Sequence, residues 1–189
     1  MQLAHKTPQS GSFGRMAGVM ALGFVAGLAA NGARKAVMQA PSLAAGDWFD
    51  ALKAEHRMVE TMFKAILQTT SDDPLKRHTL LAKIAYALNK HAIEEENVVY
   101  PALRHELQPE NARRLGEEHA EIKSFLYDLR TIPADDPRWL IRANEFEMHV
   151  ARHIREEEDE IFPSLKEALS PEDDARLTKM LNWEGFKVA

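Results

Sequence analysis

The chain has 189 residues, a formal net charge of −5 and no cysteine. This length suits one domain with an appendage, and a hydrophobic fraction of 45% is enough to build a core. The negative charge argues against a nucleic-acid partner, and the lack of cysteine excludes disulfides, thiolate-bound metals, iron–sulfur clusters and c-type haem attachment. Any bound metal must therefore be held by nitrogen and oxygen ligands.

The N-terminal residues 1–46 differ in composition from the rest. Residues 16–30 are uncharged and rich in alanine and glycine, but they are shorter than the roughly 20 residues that a membrane-spanning helix needs. Three interpretations stay open: the core of a signal peptide in an exported protein, a helix that docks residues 13–35 on a membrane or a protein partner, and a disordered tail or soluble helix. The expected location is bacterial-type membrane-associated or cytoplasmic, with export as the alternative.

From Asp47 onward, apolar positions recur with a helical period. Asp47 is the predicted N-cap of a first helix that runs to about Gln68. The second and fourth helices are expected to end where they meet Pro101 and Pro163, because proline disrupts a helix interior. The helices after the first are predicted over about 75–100, 109–130, 138–162 and 171–182.

Four long helices with short connections, and no strand pattern, predict an all-α fold. The expected architecture is an up-down-up-down four-helix bundle with an N-terminal Ala/Gly-rich helical extension and a short C-terminal helix. The predicted segments are an apolar segment and linker over 1–46, the bundle over 47–168, and a C-terminal helix and tail over 169–189.

Two stretches of the chain are near copies of each other, 62 residues apart. Each contains a histidine followed four positions later by a glutamate: His91 with Glu95 in the second helix, and His153 with Glu157 in the fourth. Residues four apart lie on one face of a helix, so each pair can approach the same ion. One such pair alone is usually solvated, but its repetition in register favours a metal site.

A lone histidine precedes each copy by about 34 residues: His56 in the first helix and His119 in the third. In an up-and-down bundle, all four helices can direct these side chains to one level of the interior. Carboxylates can bridge two cations and imidazoles can complete each coordination sphere. This donor set suits a pair of iron ions, with manganese or zinc as alternatives.

Both copies end in an aromatic residue and a proline, Tyr100-Pro101 and Phe162-Pro163. Together with the HxxxE motifs, they resemble the hemerythrin-like, or HHE cation-binding, domains over about residues 47–166. The resemblance implies a four-helix bundle around a non-haem di-iron centre. It also implies four terminal histidine ligands and two bridging glutamates: His56, His91, His119 and His153, and Glu95 and Glu157.

The sequence departs from the oxygen-carrying hemerythrins at Lys123, where the resemblance implies a second histidine on the third helix. His149, one turn before His153, is therefore a further candidate. It could be a fifth histidine ligand, a hydrogen-bond donor near the site or a surface residue. The departure argues against simple reversible oxygen carriage.

Several glutamates lie beside the expected ligands. Glu55 and Glu118 could orient a ligand imidazole or could lie on the surface. Glu96 and Glu158 are expected to face solvent because they turn away from the ligand face of their helices. His105 lies outside the repeat and is expected to be a surface residue.

Two classes of function fit these residues. The first is a di-iron module that binds or senses O2, NO, redox state or iron. The second is a di-iron enzyme acting on peroxide or a related small oxidant. The chain shows no nucleophile constellation and no output domain, which favours binding, and catalysis is left open. A ferritin-like bundle is disfavoured because none of the four histidines has a glutamate three positions before it.

Overall fold

A computed structural model describes most of the chain: residues 44–106 and 108–188, together with Gly32, Lys35 and Gln39. The chain divides into two compact units, 1–38 and 39–189. In the first unit only two residues are described, and both are helical. The apolar segment 16–30 lies outside the described residues, as do the three interpretations of residues 13–35 and most of the expected linker. Among the helices that are described, none is long and apolar enough to cross a membrane.

All regular secondary structure in the described ranges is helical, which confirms the all-α prediction. Two π-helical turns, Glu95–Val99 and Glu157–Ile161, join α2 to α3 and α5 to α6. The α-helices are α1 (Trp48–Leu67), α2 (Pro74–Glu94), α3 (Tyr100–His105), α4 (Pro109–Thr131), α5 (Pro137–Glu156), α6 (Phe162–Ala168) and α7 (Pro171–Val188).

The first bundle helix has Asp47 as its N-cap, as the sequence predicts. The Asp47 carboxylate accepts hydrogen bonds from the backbone N–H groups of Phe49 and Asp50, at 2.9 and 3.0 Å. These bonds satisfy donors that have no partner within the first turn. The C-terminal helix is longer than predicted and continues to Val188.

The prediction that Pro101 and Pro163 end their helices is wrong. The chain stays helical to His105 and Ala168. In each case a π-helical turn stands immediately before the aromatic–proline pair, and the Tyr100 N–H donates to the carbonyl of Glu95, five residues back. The wider turn changes the hydrogen-bond register before the proline, so the proline occupies the start of a new helical segment, where it is tolerated.

The four long helices form a ring in which α1 packs on α2 and α5, and α4 packs on the same two helices. The terminal helix α7 lies across α1 and α2. It is tied to the start of α1 because the Trp48 indole N–H donates to Asp174 at 2.8 Å, and the Trp48 backbone N–H donates to Thr178 at 3.1 Å. The first bundle helix is therefore fixed at its entry by the last helix.

The apolar interior of the described bundle consists of two clusters rather than one. One surrounds Phe63, Trp139 and Phe146, and the other surrounds Trp48 and Phe162. Between them, every helix of the ring contributes buried polar side chains. They are Glu55, His56, Lys90, His91, Glu94, Glu95, His119, His149, His153 and Glu157. Burial of so many ionisable groups costs several kcal/mol per ion unless each group has a partner, so this polar layer is the natural place to look for a site.

Candidate metal centre

Six residues expected as ligands converge in the polar layer. They form two groups of four, and within each group one ligand atom per residue lies within 4.8 Å of all the others. The two carboxylates are common to both groups, and all six residues are buried. The first group is His56, His91, Glu95 and Glu157, and the second group is His119, His153, Glu95 and Glu157.

Each shared carboxylate presents one oxygen to each group. Glu95 Oε1 lies 3.0 Å from His91 Nε2, and Glu95 Oε2 lies 3.2 Å from His119 Nε2. Glu157 makes the same arrangement with the other two imidazoles. Its Oε2 lies 3.4 Å from His56 Nε2 in the first group, and its Oε1 lies 3.3 Å from His153 Nε2 in the second. This arrangement is the one that a carboxylate needs to bridge two cations.

Each of the four histidines of these groups is oriented by a glutamate on a neighbouring helix. An ionised carboxylate only accepts hydrogen bonds, so the Nδ1 atom of each ring carries the proton and the Nε2 lone pair faces the site. The four Nδ1–carboxylate distances are 2.9 Å for His56–Glu158, 3.1 Å for His91–Glu55, 3.0 Å for His119–Glu96 and 2.7 Å for His153–Glu118.

These orienting glutamates resolve one open alternative and correct one prediction. Glu55 and Glu118 orient imidazoles rather than lying free on the surface. Glu96 and Glu158, expected to face solvent, do the same from the π-helical turns. The hydrogen bond from His119 holds the pKa of Glu96 below its usual value, and that from His153 does so for Glu118. Burial opposes this at Glu158, but His56 and Arg57 lower its pKa to about 2.

Three buried atoms of the two groups have no hydrogen-bond partner in the described part of the chain: Glu95 Oε1, His153 Nε2 and Glu157 Oε2. His91 Nε2 is close to the first of these atoms, but the contact lacks hydrogen-bond geometry. Buried polar atoms are almost always satisfied, because an unsatisfied one costs about 1–3 kcal/mol. All three atoms belong to the two groups, so the residues present fit a pair of cations.

The electrostatics of the layer favour added positive charge. Burial alone would raise the pKa of both shared carboxyls, those of Glu95 and Glu157. For Glu95 the imidazoles of His91 and His119 outweigh burial and hold the pKa well below its ordinary value. For Glu157 burial and the nearby Glu95 charge act together and raise the pKa well above it. Two carboxylates at such close range ionise together readily only when a cation compensates them.

The outer side of the first group is closed by a buried ion-pair cluster. Lys90 Nζ lies 2.5 Å from Glu55 Oε1 and 2.7 Å from Glu94 Oε1. Burial and the Glu55 charge raise the pKa of Glu94 to about 8. Helix α7 covers this cluster so closely that a Cβ atom on Gly185 would lie 1.9 Å from Glu94 Oε1. On the other half of the bundle, the equivalent Glu156 pairs instead with the partly exposed Arg114.

A cavity of ≈ 20 Å³ adjoins the imidazole side of the layer. All four histidines of the two groups line it, together with apolar side chains such as Leu88 and Val150. Asn89 and Lys123, which are both exposed, also contribute to its wall between α2 and α4. This volume suffices for one molecule of about the size of water. The cavity therefore has room for a small ligand beside the imidazoles but not for a large substrate.

Tyr100 is a site residue that sequence reasoning missed. Its side chain is buried, and its hydroxyl lies 3.1 Å from His119 Nε2 and 3.3 Å from Glu95 Oε2. Burial and the charges of Glu95 and Glu157 raise the pKa of Tyr100 well above its usual value. In an unbroken α-helix, a residue five positions after Glu95 would lie about 140° around the axis. The π-helical turn absorbs one residue, so Tyr100 returns to the ligand face.

The structure does not bring His149 into either group. Its ring is buried against Phe125, and its Nδ1 lies 3.1 Å from an Arg152 guanidinium nitrogen and 3.5 Å from a Glu121 oxygen. Its Nε2 atom is buried without a hydrogen-bond partner within the described ranges. His105 has an 86% exposed side chain and pairs with its neighbour Glu106, as a surface residue does.

Replacing Glu118 with alanine is expected to weaken metal binding by about 10- to 100-fold without removing a ligand. The reason is that His153 would lose the carboxylate that fixes its ring, 2.7 Å from its Nδ1. Competition against a chromophoric chelator measures the affinity. The adjacent Glu117→Ala is the matched control, because Glu117 is exposed and its ion pair in the described ranges is with Arg113, away from the site. Equal affinities in the two variants would contradict the orienting role.

Comparisons with known proteins agree with this geometry. A family model described as the hemerythrin HHE cation binding domain matches residues 48–165. In a solved structure, a hemerythrin HHE cation-binding domain-containing protein of Mycobacterium kansasii superposes with a TM-score of 0.66. That alignment covers 75% of this chain and 86% of the mycobacterial one at 21% identity, so it supports the fold alone.

Two relatives share part of their sequence with this chain. An uncharacterized hemerythrin-like protein of Schizosaccharomyces pombe is 27% identical over 131 residues, which are 68% of this chain and 64% of that protein. A DNA nickase of a Nostoc species is 29% identical over 123 residues, 65% of this chain. The match spans about a third of the nickase, 34% of its length, and just under two thirds of the yeast protein.

Proposed function

This chain belongs to the hemerythrin HHE cation-binding domain family, and from that premise we propose that it holds two non-haem iron ions and binds or senses a small ligand. The small ligand would be O2 or NO. Alternatively, the site would sense the redox state or the iron level of its surroundings. The expected cation ligands are the six members of the two groups: His56, His91, His119, His153, Glu95 and Glu157.

One observation carries the proposal. Four Nε2 atoms, each aimed by a carboxylate on the far side of its ring, face four oxygens of two shared glutamates. His56 Nε2 and His91 Nε2 lie only 2.9 Å apart, and two such nitrogens can share at most one proton. A cation between each pair of imidazoles would use every one of these lone pairs.

The donor chemistry supports iron. Neutral imidazoles and carboxylates suit iron, manganese and zinc, whereas thiolate-dependent sites are excluded because the chain has no cysteine. A bound iron pair would supply redox chemistry and an open position for a small molecule. The protein contributes the rest: it fixes the imidazoles, excludes bulk water with the two apolar clusters, and limits access to the width of the small cavity.

The restricted access supports binding of a diatomic or similarly small molecule. The cavity beside the imidazoles measures ≈ 20 Å³, and its exposed wall includes Lys123. A substrate of the size of a nucleotide or sugar has no room there. For the same reason, and because the match covers only a third of the Nostoc nickase, DNA nicking is not part of the proposal.

The proposal is tested by elemental analysis of the full chain after anaerobic loading with iron(II), followed by exposure to air. Two iron ions per chain and a new oxygen-dependent charge-transfer band are the expected results. A chain that retains no iron, manganese or zinc after removal of weakly bound ions would contradict the proposal. A chain that retains zinc alone, with no oxygen-dependent spectrum, would contradict the redox part.

The same sample separates a binding module from an enzyme. Addition of hydrogen peroxide with an oxygen electrode measures turnover. A stable spectrum with no sustained oxygen release supports binding or sensing. Rapid oxygen release that depends on iron would instead assign the site to peroxide chemistry.

A further inference from the structure

The Tyr100 hydroxyl lies beside the atoms of the second group. Its oxygen lies 3.1 Å from His119 Nε2, 3.3 Å from Glu95 Oε2 and 3.4 Å from Glu157 Oε1. The side chain is 1% exposed, and no surface side chain takes part in these contacts. The phenol therefore meets three atoms that the second group offers to its cation.

Hydrogen bonding alone accounts poorly for this position. A phenol has one proton to donate, yet three acceptors surround it, and none approaches the 2.7–2.8 Å typical of an O–H···O bond. Donor atoms that lie roughly 2.0–2.2 Å from one cation at right angles are about 3 Å apart. The group itself shows similar spacing: His119 Nε2 to Glu95 Oε2 is 3.2 Å, and His153 Nε2 to Glu157 Oε1 is 3.3 Å.

Among the residues that the structure describes, the first group has no phenol beside it. The residue that corresponds to Tyr100 in the second copy of the repeat is Phe162, which has no oxygen. Its ring packs edge-on against Trp48 and Phe49 in the apolar cluster. The repeat therefore supplies the same imidazoles and carboxylates to both groups but a phenol to only one.

We propose that Tyr100 is a direct ligand of the cation held by His119 and His153, and that the two cations are consequently unequal. This inference rests on the proposed iron pair. The oxygen–metal bond forms as the phenolic O–H bond breaks, and the proton leaves to solvent, so loading releases one proton more than the six other ligands account for. The cavity is lined by the four imidazoles and not by Tyr100, so the phenol leaves the ligand side free.

A tyrosine bound to iron(III) produces a visible charge-transfer band and tyrosine ring vibrations in the resonance Raman spectrum excited in that band. The chain contains three tyrosines, Tyr86, Tyr100 and Tyr127. The test uses the iron-loaded, air-oxidised full chain, with each spectrum divided by the iron content from elemental analysis. We expect ring vibrations that shift when the protein is made with ring-deuterated tyrosine.

Substitutions assign the band to one residue. In Tyr100→Phe the band and its ring vibrations should be lost, while the cation of the first group remains. The double variant Tyr86→Phe/Tyr127→Phe is the matched control, because the Tyr86 hydroxyl bonds to the Val188 carbonyl and Tyr127 is exposed. It should keep the full band per iron.

Two results would overturn the inference. One is a wild-type chain with two iron ions and no isotope-sensitive tyrosine vibrations, a measurement that does not depend on how any variant folds. The other is a Tyr100→Phe protein with an unchanged band per iron. A wild-type chain that binds no iron would contradict the proposed iron pair itself, and this inference would fall with it.

Discussion

Glu95→Ala is expected to abolish binding of both cations, with iron content falling from two ions per chain to nearly none. Glu95 Oε1 belongs to the first group and Glu95 Oε2 to the second, so one substitution removes a donor from each. The loss of metal affinity on removing a shared ligand should be larger than the roughly 10- to 100-fold loss on removing an orienting residue. Elemental analysis after desalting measures the result directly.

Thermal unfolding provides a second readout of the same variant. A ligand present at 100 times its dissociation constant stabilises the folded state by about 2.7 kcal/mol. Addition of iron(II) should therefore raise the unfolding temperature of the wild-type chain and leave that of Glu95→Ala unchanged. Glu110→Ala is the control, since Glu110 is exposed and forms its ion pair with Arg113, far from both groups in the described structure. A Glu95→Ala protein that still holds two ions would rule out the bridging role.

His119→Ala is expected to lose one cation and keep the other. His119 belongs only to the second group, whereas His56 and His91 complete the first group without it. Iron content should fall to about half the wild-type value. His105→Ala, which truncates a solvent-exposed imidazole, should keep the full content.

The different iron losses expected for Glu95→Ala and His119→Ala distinguish a two-cation site from the alternatives. A site that held one ion would lose all of its iron in both Glu95→Ala and His119→Ala. Equal iron in His119→Ala and His105→Ala would refute the ligand assignment altogether. Only a two-cation site with shared carboxylates gives near-total loss in the first variant and half loss in the second.

The two halves of the bundle repeat their histidines and glutamates but differ in their surroundings. On the first half, Lys90 and two glutamates form a buried cluster beneath α7. On the second half, the corresponding Glu156 pairs with Arg114 at the protein surface. An ion pair buried at low dielectric holds its geometry more firmly than one exposed to solvent. The duplicated sequence therefore surrounds two similar groups with unequal environments.

Much of this structure was determined by the sequence alone. Helix positions follow from a local apolar period and from N-cap chemistry such as that of Asp47. The spacing of His91 to Glu95 places both side chains on one helical face whatever the partner helix is. The repeat then placed the same pair on another helix. These features depend on interactions within one or two turns, which is why the four helices and the six converging side chains could be predicted.

Tertiary structure decided the remaining features. Glu158 orients His56 from 102 residues away, a partnership that no local spacing encodes. Tyr100 reaches the site because the π-helical turn before it contains one extra residue, which returns its side chain to the ligand face. The regular α-helical period that a sequence pattern assumes would place it elsewhere. His149 shares a helical face with His153 yet lies one turn outside both groups. Cross-helix distances and helix irregularities arise only when the bundle packs, and they determine which side chains reach a common point.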